Sequence, residues 1–75
     1  MPSMYPVLKP KEIIGVLEKM NYTYISQKGS HMKYSNGIHT VIIPNHSEIA
    51  KGTLKSILGQ ANIQLEYFLS ILNKV

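Results

Sequence analysis

The chain has 75 residues, with eight Lys, four Glu, no Arg, no Asp and no Cys, a formal charge of +4 and a pI near 9.5. That length holds one domain with one modest core, which excludes a deep multi-substrate pocket, and the absence of Cys excludes disulfide staples and thiolate metal sites. The Lys surplus suits a polyanion, because ammonium groups release condensed counterions from phosphates; without Arg, only point-charge contacts to a backbone are open, and the same surplus also serves plain solubility.

Residues 1–8 hold prolines around short apolar pieces and read as an N-terminal extension, not as a signal peptide. No apolar run approaches a bilayer-spanning length, so no membrane contact and a cytoplasmic location are expected. Residues 10–20 read as the first helix, with Ile13, Ile14, Leu17 and Met20 at helical spacing and Lys11, Glu12, Glu18 and Lys19 on the polar side. Pro10 suits the first turn, and Asn21 suits a left-handed cap. Residues 22–27, aromatic and β-branched, read as a strand, with Lys28 and Gly29 turning the chain. Residues 30–34 and 38–43 follow as strands, joined by Ser35, Asn36 and Gly37; the Asn-Gly pair predicts a type I′ turn. Pro44 ends the sheet, and residues 45–51 form a polar loop. Residues 53–61 read as a helix on Leu54, Ile57, Leu58 and Ala61, with Asn62 as its cap, and residues 65–72 as a short further helix.

The order α-β-β-β-α with a short C-terminal helix predicts a single α+β domain over residues 1–75: a three-stranded antiparallel sheet with both main helices on one face and solvent on the other. Double-stranded-RNA-binding domains share this layout, a fold-level analogy that speaks weakly for RNA binding and not for catalysis.

Three His residues, His31, His39 and His46, are the candidates for chemistry. Their spacing, with no Cys, Asp or helical i, i+4 pair, makes a poor metal site, so neither a metal nor another cofactor is expected. Alternation on the second strand sends Met32 and Tyr34 to the core and leaves His31 and Lys33 on the open face, a titratable group beside a fixed positive charge. Read alone, His31 is either an ordinary exposed strand residue or a working one.

Three pieces bear on that choice: Lys28, Gly29, Ser30 and His31 with Tyr34 three residues on; the run from Val41 through Pro44 and Asn45 to His46; and the stretch from Lys51, Gly52 and Thr53 to Ala61. In this order and spacing the chain resembles the HicA family of toxins from about Lys9 to Phe68. It departs from the family pattern at Ser26, where a basic residue is common, at Ala50, where proline is, and at Asn62, where glycine is. The resemblance implies a metal-independent ribonuclease that cuts messenger RNA, a partner antitoxin of the HicB type covering the active face, and a catalytic histidine in the Gly-Ser-His string, here His31.

On that footing the expected chemistry is transphosphorylation, with His31 taking the ribose 2′-OH proton. Lys28 and Lys33 would steady the phosphate, and Ser30 and Lys51 would add RNA contacts, Lys51 at a helix start where free N–H groups favour phosphate. His46 and Tyr34 are auxiliary candidates, although His46 also reads as a residue that orders its loop. His39 reads as a strand-edge residue with no catalytic part. Tyr22, Tyr24, Tyr67 and Phe68 serve packing or base stacking, and Ile42 faces outward as an apolar contact for a protein partner. Two other readings stand beside the enzyme: a silent RNA-binding module, and an interaction domain whose basic face meets an acidic partner.

Overall fold

In the computed structural model, which describes residues 5–74, helix α1 (Pro10–Lys19) opens on a proline whose missing N–H is no loss there. The Glu12 carboxylate reaches back to accept the Lys9 amide at 2.8 Å. Its buried stripe is Ile13, Val16 and Leu17, with Ile14 and Met20 half-buried at the margin. Asn21 then turns left-handed at φ 70°, so that Tyr22 N–H bonds back to the Leu17 carbonyl at 3.0 Å and Asn21 N–H to that of Glu18 at 3.1 Å. This is a Schellman closure, and it drives Tyr22 into the core.

Strands β1 (Thr23–Lys28), β2 (His31–Ser35) and β3 (Thr40–Pro44) form one antiparallel sheet in the order β1-β2-β3. Gly29, at φ 60°, makes the first turn. The second connection departs from the expected type I′ turn. It is a four-residue loop, 36–39, between the paired Ser35 and Thr40, and within it only Gly37 has a positive φ, 91°. The Asn36 side chain is the cause: its Oδ1 accepts the N–H groups of Ile38 and His39 at 2.9 and 2.7 Å, a local bond that competes with the positive φ a I′ turn demands. β3 therefore begins at Thr40 instead of residue 38, and Ile38 is left 82% exposed at the tip. Pro44, expected just past the sheet, is its last paired residue, opposite His31.

Helix α2 (Lys51–Ala61) starts two residues before the expected 53, its first bond running from Leu54 N–H to the Ala50 carbonyl at 2.9 Å. Asn62 ends it at φ 56° as Asn21 ends α1, with Ile63 N–H on the Leu58 carbonyl at 2.9 Å. Helix α3 (Leu65–Leu72) keeps its expected bounds. α2 packs on β3, and α3 on α1. Met32, Tyr34, Val41 and Ile43 from the sheet meet Leu17, Leu54, Ile57 and Phe68 from the helices in one core, so the helices lie on one face. Leu8, expected in an extension, is part of that core: its carbonyl accepts Ile49 N–H at 2.6 Å. The outer edge of β3 is closed by α2, since Ile42 N–H is bonded to the Gln60 side chain at 3.0 Å and Pro44 offers no donor. No helix among the described residues is long and apolar enough to cross a membrane.

Phe68 is wholly buried and Tyr67 beside it is 56% exposed, so the two positions should respond oppositely to truncation. Phe68→Ala is expected to cost about 3–5 kcal/mol in urea unfolding, whereas Tyr67→Ala should stay within about 0.5 kcal/mol of the parent.

Candidate functional site

Strict alternation along β1 would set Tyr24 and Lys28, four residues apart, on the same face. The structure separates them. Tyr24 pairs with Tyr34, on the helix side of the sheet, while Lys28 pairs with His31 on the open side. Between them the register shifts at Ile25, which has no partner, so β1 spends four steps where β2 spends three. This β-bulge inverts the parity of everything after it, and brings Ser26 and Lys28 to the open face.

The open face consequently carries two cross-strand rows. Lys28, His31 and Pro44 lie abreast at one end, and Ser26, Lys33 and Ile42 lie abreast in the next row on that face. Directly opposed residues have Cβ atoms about 5 Å apart, so His31 stands next to one lysine and one row from another. Ser26, Lys28, His31, Lys33 and Ile42 line a groove of about 450 Å³, large enough for a small ligand, with two ammonium groups and no carboxylate. His31, Lys28 and Lys33 are all exposed, and Ile42 is half-buried as the apolar floor. Alternation along β2 and β3 is enough to put His31, Lys33 and Ile42 on this face. Ser26, which the family resemblance sets near it, reaches the groove through a bulge at Ile25 that no residue type in β1 signals.

The other candidates divide. Ser30 sits in the turn just before His31, and its carbonyl accepts Asn45 N–H at 2.6 Å, which ties the loop after β3 to the His31 end of the sheet. His46, exposed and next in that loop, is thus anchored two residues past Pro44, His31's neighbour. Lys51 is exposed as the first residue of α2 and lies outside the groove lining. Tyr34, the other auxiliary candidate, is on the opposite face: it is buried, its ring edge-on to Tyr24 with centroids 5.8 Å apart. The pleat that exposes His31 buries Tyr34, three residues on. Burial pushes the Tyr34 phenol above its ordinary 10.0, with Glu18 and Tyr24 adding to the shift.

His39 lies in the loop before β3, half-buried, at the far end of β2 from His31. It borders a second hollow of about 560 Å³ with Tyr67 of α3. Of the aromatic candidates, Tyr22 and Phe68 are core, while Tyr24 and Tyr67 are exposed, at 55% and 56%. Among the described residues no three His or acidic side chains gather as a metal-ligand group.

A family model described as "HicA toxin of bacterial toxin-antitoxin" matches residues 10–63, well over half of the chain. The matched span runs from the first helix through the sheet to the residue after Asn62, so it contains the whole groove. No curated protein matches the chain.

The phenols of Tyr22 and Tyr34 are both raised by burial, so each favours its protonated, folded form. Their stabilisation is complete below the unfolded value of 10.0 and is lost as pH climbs through the higher folded values. Thermal melts should therefore show the parent losing stability more steeply than Tyr34→Phe as pH rises above 10.

Proposed function

This chain belongs to the HicA toxin family of bacterial toxin–antitoxin pairs, and from that premise we propose that it is a metal-independent endoribonuclease that cuts messenger RNA with His31 as general base. The observation that carries the reading is His31 exposed on the open sheet face, directly opposite Lys28 and one row from Lys33. A phosphodiester lying across the groove meets a proton acceptor and two fixed cations at once. Imidazole is the side chain whose ordinary titration falls nearest neutrality, which suits a base that must be neutral before the step and cationic after it.

His31 takes the proton of a ribose 2′-OH, and the freed oxygen attacks the adjacent phosphorus. The bond from phosphorus to the 5′-oxygen breaks, leaving a 2′,3′-cyclic phosphate, and the departing oxygen takes a proton from water or from His46. Lys28 and Lys33 offset the charge that builds on the non-bridging oxygens. Ser30 and Lys51 extend the contact along the backbone. The family pairs each toxin with an antitoxin, and we assign a HicB-like antitoxin to this same face, where its docking would exclude RNA.

His31→Ala is expected to abolish growth arrest and RNA breakdown on expression, while EDTA leaves the parent's activity intact. Undiminished lethality of His31→Ala would remove the mechanism; RNA bound tightly but left whole by the parent would establish the silent binding module instead. A 2′-deoxy residue at the cut should block cleavage, and continued cutting there would exclude transphosphorylation.

Lys28→Ala and Lys33→Ala should each weaken binding and lower the slope of log affinity against log salt by about 0.7. Tyr34→Phe should leave both cutting and this slope unchanged.

A further inference from the structure

The turn that leads into His31 holds one backbone amide in a fixed direction. Lys28 and His31 are paired across it, so the connection has two residues, Gly29 and Ser30. Gly29 stands at φ 60° and Ser30 is not among the residues of positive φ. That combination is a type II′ turn, since the I′ form requires positive φ at both positions. The two forms differ in which way the central peptide plane faces. Here the Gln27 side chain holds that plane, its Nε2 donating to the Gly29 carbonyl at 2.9 Å.

Gln27 pairs with Met32, a core residue, so its side chain leaves β1 on the helix side and the Gly29 carbonyl is held toward that side. In a trans peptide the N–H points opposite to the C=O. The Ser30 N–H, the other half of the same peptide, is therefore turned to the open face, where Lys28 and His31 stand. A second bond steadies it: the Ser30 carbonyl accepts Asn45 N–H at 2.6 Å, so the peptides on both sides of Ser30 are held. Ser30 is exposed, and its N–H donates to no other group among the described residues.

The His31 end of the sheet thus finishes on a backbone donor beside an ammonium group and an imidazole. A donor fixed by its own peptide plane needs no reorganisation when charge builds next to it, unlike a lysine on a flexible stem. The geometry points to the Ser30 amide as a donor to one non-bridging oxygen of the phosphodiester, with Gln27 as the residue that positions it. This rests on His31 and its lysines being the site of cutting. Lys28 and Lys33 attract a phosphate in any orientation. The amide, aimed one way, fixes where one oxygen sits and so how the neighbouring 2′-oxygen lies relative to phosphorus. The RNA contact expected of Ser30 is then made by its main chain. A carboxylate on an acidic peptide suits the same donor, but two ammonium groups in successive rows favour a polymer charged at every unit.

The test titrates the full chain with single-stranded oligodeoxythymidine, which keeps the phosphodiesters and lacks the 2′-OH, and follows backbone amides by nuclear magnetic resonance. The Ser30 amide proton is expected to show the largest downfield shift between residues 28 and 33. In Gln27→Met, similar in length but without a donor, that shift should shrink and kcat on RNA fall about tenfold, with KM and the pH profile unchanged. Ser30→Ala keeps the N–H and should keep the shift, whereas Ser30→Pro deletes it at a negative φ and should lower kcat about a hundredfold. If Ser30→Pro does not fold, the shifts in the parent and in Gln27→Met decide. A Ser30 amide left unmoved while those of Lys28 and Lys33 shift would overturn the assignment. So would an amide moved by a glutamate-rich peptide and not by the DNA, or a Gln27→Met chain that raises KM alone. These shifts do not depend on cutting, so persistent cutting by His31→Ala sinks the catalytic reading, and an unmoved Ser30 amide beside an inactive His31→Ala sinks the amide donor alone.

Discussion

The extra residue in β1 is the constraint on which the open face depends. Tyr24 and Tyr34 meet edge-on at the helix side and hold one end of the β1–β2 pairing. At the other end Lys28 must sit beside His31, across the sheet from that aromatic contact. Both pairings coexist only because Ile25 is left out of the ladder. Were β1 regular, the tyrosine contact would carry Lys28 to the helix side, and His31 would face a strand without a cation. One unpaired residue thus adds a second ammonium group, directly across from the imidazole, to the one that Lys33 already supplies on β2.

The core fixes which side chains reach that surface. Val41 and Ile43 from β3 and Met32 and Tyr34 from β2 press on the helices, so their alternating neighbours are committed to solvent. A one-residue slip of β2 would bury His31 and Lys33 without partners and expose Met32 and Tyr34, a double penalty that pins the register. α2 contributes from outside the sheet, because Gln60 binds the Ile42 amide and closes the edge of β3 against further pairing. The sheet therefore offers its face, not its β3 edge, to whatever it meets.

The two Schellman closures tie this scaffold to its far end. Asn21 and Asn62 end α1 and α2 in the same way, and both ends border the hollow beneath Tyr67. The two ends of β2 thus differ in chemistry, with cations and imidazole at its start and amides and a carboxylate beyond its end.

How much of this was legible in the sequence follows from the range of the forces involved. Local rules reached far. Proline at the helix start, asparagine at the two caps, helical spacing in residues 65–72 and alternation in β2 each act within a few residues, and the elements and the exposure of His31 follow from them. The family resemblance rested likewise on short strings, and the match over residues 10–63 bears it out. The 36–39 loop departs from a I′ turn because the Asn36 side chain bonds amides that such a turn would arrange otherwise.

What only the tertiary structure decided is what depends on contacts between distant segments. The bulge at Ile25 is set by the need to satisfy Tyr34 and His31 on opposite faces of another strand, and no residue in β1 announces it. The bond from Asn45 to Ser30 brings the His46 loop to the His31 end of the sheet, and the bond between Leu8 and Ile49 draws the N-terminal segment into the core. The hollow under Tyr67 needs two helix ends, a loop and a third helix at once. Periodicity along a chain says which face of an element is buried; which elements then meet at an end is settled by packing alone.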